Sequence, residues 1–181
     1  MPQCTLDQVR RYVGNGVRKL MGRAVPDGAK NPLFEQTFAA FKEYYAAHCL
    51  DHTAPYPDVL KVMKELKERG IKIAIVSNKL DSAVKELNEK FFQGYTSAAI
   101  GEMEGVARKP APDMVEKALR ELGVTKSDAI YVGDSDVDIQ TAKNSGLDCI
   151  SVTWGFRDVP FLLEHGAKTM IDKPLELLSQ V

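Results

Sequence analysis

The chain has 181 residues, with 24 Lys+Arg against 25 Asp+Glu, a formal net charge of -1, 44% hydrophobic residues and 27% charged residues. These values exclude a broad polybasic nucleic-acid face and a disordered chain, and no run approaches the ~18 apolar residues of a membrane span. A chain of this length buries roughly 70% of its extended surface, and Cys4, Cys49 and Cys149 form no CxxC pair, so the expected protein is a reduced, cytoplasmic one without a signal-peptide core.

The first fifty residues read as helices. Thr5 with Gln8 fits a capping box, and Leu6, Val9 and Val13 follow at helical spacing. Gly14-Asn15-Gly16 interrupts the run, Val17, Leu20 and Met21 resume it, and 26–31 is turn-rich. A long helix from near Pro32 carries Phe34, Phe38, Phe41 and Tyr45 on one face, a stripe expected to be core. From Tyr56 helices and strands alternate: a helix from 57 to Gly70, a strand over 71–76, a helix over 81–90, a possible strand over 96–100, and a helix over 112–122. A strand over 129–132, a helix over 137–145, a strand over 149–153, a short edge strand over 168–171 and a helix over 175–178 complete the pattern. That alternation predicts an α/β fold, a three-layer Rossmann-like parallel sheet core (55–181), preceded by a small helical domain (1–54).

Ligands of open parallel sheets bind beyond the carboxyl ends of the strands. Three polar clusters fall there. Ser77-Asn78-Lys79 offers a hydroxyl and backbone N–H groups to a phosphate. Arg108-Lys109-Pro110 sets a lysine on a stiff turn, and Asp134, Asp136 and Asp138 place three carboxylates at one strand end, suited to a hard cation such as Mg²⁺. Singly these are helix caps and surface charges; jointly they point to metal-assisted phosphate chemistry.

The motifs IVSNK (75–79), RKPAP (108–112) and VGDSDVDI (132–139) resemble, in order and context, those of the haloacid dehalogenase superfamily, within it the phosphoglycolate phosphatase-like group. The resemblance implies Ser77, Asn78 and Lys109 as phosphate-binding residues, Lys109 also as the catalytic lysine, Asp134 as the Mg²⁺ ligand and Asp138 as support for the metal site. It implies that the helical part is a cap domain, in which VGNG (13–16) faces the substrate, with Asn15, Gly16, Arg18 and Arg23 as possible contacts (Lys19 is a further basic neighbour). The implied substrate is a small phosphate monoester, 2-phosphoglycolate or alternatively a sugar phosphate, with no nucleic acid or membrane partner.

The family's opening DxDGT motif, which supplies the aspartate nucleophile and acid/base on the central first strand, has no counterpart here; the one early aspartate, Asp7, lies in a helix. The chain alone is therefore expected to be inactive and to bind Mg²⁺ weakly or not at all. A piece of a working phosphatase, a shortened product without catalysis and a non-catalytic phosphate- and Mg²⁺-binding or regulatory module remain alternatives. The sheet is expected to lack its central first strand. Either 71–76 closes directly against 129–132, or another chain fills the slot, most simply by strand exchange in a homodimer.

Overall fold

The computed structural model describes residues 3–13 and 16–181, in two compact units, Met1–Ala54 and Pro55–Val181. In the first unit α1 (Leu6–Tyr12) opens on the Thr5 capping box, where Gln8 N donates to Thr5 Oγ1 and Thr5 N to Gln8 Oε1. Helices α2 (Val17–Ala24) and α3 (Phe34–His48) follow. Met21, Val25 and Phe34 form the core, with Leu20, Phe38 and Phe41 packed against it. The aromatic stripe is thus core at its start, where Phe34 is 1% exposed, and surface at its end, where Tyr45 is 37% exposed.

The second unit runs α4 (Val59–Glu68), β1 (Ala74–Leu80), α5 (Asp81–Leu87), β2 (Ala98–Glu102), α6 (Asp113–Leu122), β3 (Ile130–Gly133), α7 (Asp136–Ser145), β4 (Asp148–Val152), α8 (Val159–Glu164) and β5 (Thr169–Ile171). The five inward positions of α6, Met114, Val115, Ala118, Leu119 and Leu122, are all buried. Its two rows serve different partners. Met114 and Ala118 pack with Ile100 of β2, while Val115 and Leu119 pack with Tyr131 of β3 and Ala142 of α7. One helix therefore holds two groups of strands.

Those groups are separate sheets, β1-β2 and β3-β4-β5, each parallel throughout. The expected closure of 71–76 onto 129–132 does not occur: among the described residues β1 pairs only with β2, and β3 only with β4. The two strand groups instead pack on different rows of α6, Met114 and Ala118 against Ile100 of β2 and Val115 and Leu119 against Tyr131 of β3. Val62, Met63 and Leu66 of α4 and Val115 and Leu119 of α6 line a cavity of 790 Å³ together with β1 and β3.

Local boundaries also differ from expectation. Strand β1 starts and ends later than 71–76 and carries Ser77 and Asn78 within it, so those residues do not open a helix. Its register against β2 shifts between Val76 and Leu80, because the polar residues leave the ladder for other partners. The final helix is a 3₁₀ segment, Pro174–Ser179. Helix α8 was not anticipated, although Asp158 caps it by accepting from Phe161 N and Pro160 sits in its first turn. Among the described residues no helix is long and apolar enough to cross a membrane.

Candidate functional site

The carboxyl ends of β1 and β3 meet through the loop before α6. Asn78 leaves the ladder and clamps the main chain of Lys109 from both sides: its Nδ2 donates to Lys109 O at 2.9 Å and its Oδ1 accepts from Lys109 N at 2.8 Å. Asn78 is therefore a scaffold for the lysine. The clamped Lys109 extends its ammonium group to Asp138 Oδ1 at 2.8 Å and Tyr131 Oη at 3.2 Å. The pair is largely desolvated, with side-chain exposures of 13% and 8%. An ammonium has three donors, so one stays available for a ligand. Ser77 lies beside this clamp on β1, its Oγ accepting from Lys79 N at 3.2 Å, and its hydroxyl proton can still be donated.

Asp138 is the hub. Its Oδ1 also accepts from Tyr131 Oη at 3.1 Å, and its Oδ2 accepts from Ser135 Oγ at 2.6 Å and Asp134 N at 3.2 Å. Burial works to raise its pKa. The Lys109 charge and the hydrogen bonds from Lys109, Ser135 and Tyr131 outweigh that and hold the carboxyl below its ordinary range. Burial, followed by the negative charge of Asp138, raises the Tyr131 phenol and keeps it a donor. The same two causes push the Cys149 thiol up to about 11.

The three aspartates do not converge. Asp134 Oδ2 accepts from Phe156 N at 2.8 Å, and Asp136 Oδ1 lies 3.5 Å from Arg157 Nε. Asp138 has both oxygens engaged by protein donors. Among the described residues no group of three acidic, histidine or cysteine side chains could hold a metal ion, so the residues present do not by themselves fit Mg²⁺, which needs a fuller oxygen shell.

Two glycines make this crowding possible. A Cβ on Gly133 would stand 2.3 Å from Asp138 Cβ, and one on Gly155 would stand 2.2 Å from Asp134 Cβ. Gly133 therefore serves close approach rather than only the sharp strand exit its sequence position suggests. Gly155→Ala is expected to destabilise the protein by about 1–3 kcal/mol through overpacking, read by chemical denaturation; an unchanged midpoint would refute the close contact.

Sequence reasoning missed Tyr131, Ser135 and the 154–157 loop. A usable signal was present, since Trp154-Gly155-Phe156-Arg157 also follows an apolar strand end. The helical-unit candidates stand as follows. Asn15 lies outside the described residues, and Gly16 is the N-cap of α2 with φ 87°. Arg18 pairs with Glu35 and lies over Phe34 and Phe38, 5.1 and 5.2 Å from their ring centroids. Arg23 donates to Tyr12 O at 2.8 Å. Lys19 is exposed on α2, with no role assigned by this geometry.

The sequence profile described as haloacid dehalogenase-like hydrolase matches residues 1–152. A phosphoglycolate phosphatase of Rhodobacter capsulatus is 36% identical over 169 residues, covering 90% of this chain and 75% of the relative. One of Aquifex aeolicus is 32% identical over 151 residues, covering 83% and 69%. A crystal structure of a candidate phosphoglycolate phosphatase from Lactobacillus delbrueckii subsp. bulgaricus superposes with a TM-score of 0.93 at 38% identity, covering 98% of this chain and 83% of that one. With these motifs on these strand ends, the chain belongs to the haloacid dehalogenase-like hydrolase family.

Proposed function

We propose that this protein serves a phosphoglycolate phosphatase-like hydrolase, and that residues 1–181 supply the phosphate-binding part of its chemistry. The observation that carries the reading is the Asn78–Lys109–Asp138 clamp, which holds an ammonium group at the joined strand ends. The remaining Lys109 donor and the Ser77 hydroxyl are the groups that meet the phosphoryl oxygens, orienting the ester and offsetting its charge. Relatives named phosphoglycolate phosphatases support 2-phosphoglycolate as the monoester.

Attack on phosphorus needs a free nucleophile, and each carboxylate at these strand ends is already engaged: Asp138 by four donors, Asp134 by Phe156 and Asp136 by Arg157. Residues 1–181 alone are therefore expected to bind the monoester without turning it over. Ser77→Ala should weaken inorganic phosphate binding about tenfold or more, since a hydrogen bond to a charged group is worth about 1.5–3 kcal/mol. Calorimetric competition with 2-phosphoglycolate and a sugar phosphate tests the rest. Unchanged phosphate affinity in the variant, or a clear preference for the sugar phosphate, overturns the reading.

Haloacid dehalogenase-like phosphatases generally use Mg²⁺. With Asp138 held by four donors and Asp134 by Phe156 N at one oxygen, Mg²⁺ affinity should be millimolar or weaker. Calorimetric titration returning micromolar affinity would contradict that expectation.

A further inference from the structure

Packing does not account for the hydroxyl of Tyr131. The ring sits on β3 among Val115 and Leu119 of α6 and Ala142 of α7, and Cys149, its register partner on β4, packs against the same cluster. Tyr131 is 9% exposed. Phenylalanine would fill that space equally well, and a buried hydroxyl costs free energy unless it finds partners. Its partners here are Lys109 Nζ at 3.2 Å and Asp138 Oδ1 at 3.1 Å. Asp138 is satisfied without it, since Lys109, Ser135 Oγ and Asp134 N already donate to that carboxylate. The lysine is the group that gains.

A lysine ammonium is a compact charge whose three donors rotate freely on a flexible stem. The contact to Asp138 at 2.8 Å fixes where the charge lies and leaves that rotation open. The Tyr131 hydroxyl closes it. Its proton goes to Asp138, so an oxygen lone pair is left to accept a second N–H from Lys109. The ammonium lies 5.9 Å from the ring centroid, so it meets the oxygen and not the ring face. With two of three tetrahedral directions taken, the third is set. The main chain of Lys109 is gripped separately by Asn78, and the packed ring cannot follow a drifting side chain.

We infer that Tyr131 is a positioning residue for the phosphate site: its hydroxyl aims the remaining Lys109 N–H at the phosphoryl group. This role rests on the reading of Ser77 and Lys109 as the phosphate contacts, and in it Tyr131 acts only through the lysine. Held in one direction, the donor meets its acceptor without first losing rotational freedom.

Two measurements on the full 181-residue chain separate the role from that reading. The first contains no phosphate. In protein labelled with nitrogen-15 lysine, the Lys109 ammonium signal, assigned through its own side-chain carbons, should exchange protons slowly with water. Tyr131→Phe keeps the ring, and exchange should become about fivefold faster or more once one partner is gone. The second is calorimetric titration with inorganic phosphate. Tyr131→Phe should weaken binding about fivefold, the worth of one ordinary hydrogen bond, with near-ultraviolet circular dichroism unchanged. A purely structural hydroxyl would move the urea midpoint and neither of these readouts. Unchanged ammonium exchange in Tyr131→Phe overturns the assignment. So does faster exchange with phosphate affinity equal to or tighter than the parent's, because the freed donor would then serve the anion better than the aimed one. A parent chain that takes up no phosphate defeats the phosphate-site reading, and the exchange rates alone then decide whether Tyr131 fixes the lysine.

Discussion

Replacing Lys109 with methionine is expected to cost about 3–5 kcal/mol of stability, the loss typical when one partner of a buried ion pair is removed. Typical domains have about 5–15 kcal/mol in total. The cause is Asp138, which would keep its charge in a buried place without the ammonium that compensates it. The pH dependence carries the signature. In the parent chain the Asp138 carboxyl is depressed below its unfolded value of about 3.9. Its contribution is therefore present above that value and lost as pH falls through the folded pKa. In the variant burial acts unopposed by the lysine, so Asp138 takes a proton at higher pH and the penalty is relieved there. The stability difference between the two proteins should narrow on acidification. Asp138→Asn added to Lys109→Met should recover part of the loss, because two neutral groups replace an orphaned charge. Urea unfolding at several pH values checks both points. A constant difference across acid pH would mean that the pair contributes packing and not charge.

Phe34→Ala is expected to abolish ordered packing in the helical unit while leaving the Pro55–Val181 unit folded. Phe34 is 1% exposed and centres a core whose other buried members are Met21 and Val25. Truncating a buried phenylalanine costs about 3–5 kcal/mol. A unit of some fifty residues buries only about 60% of its chain surface and has little reserve. Hydrogen exchange should show lost protection in α2 and α3 with protection retained in β3 and β4. Phe34→Leu, which keeps most of the volume, should preserve the helices. Parent-like protection of α3 in the alanine variant would mean that the aromatic core is not what holds this unit.

Element type was legible wherever periodicity was strong. Helix α6 met the expected five inward positions, because its apolar face is continuous over three turns and Gly123 stops it in the left-handed region, φ 65°. Strand β1 was misplaced because β-branched content marks where a strand packs, whereas its end depends on which partners its polar residues find. The unanticipated α8 belongs to the same class. Its cap and proline were readable, but a six-residue helix has too few turns to show a period.

By itself the sequence determined the α/β alternation, the change of texture near residue 54, and the three polar clusters at the strand ends, since each follows from local spacing and side-chain chemistry. Only the tertiary structure decided what those clusters do to one another. It turned the three aspartates toward Phe156, Arg157 and Lys109 instead of one cation, made Asn78 a clamp on the lysine backbone, and held the two sheets apart on the rows of α6. Each of these outcomes depends on groups distant in sequence. A side chain's options are local, but which option wins is set by the partner that burial brings within hydrogen-bonding distance.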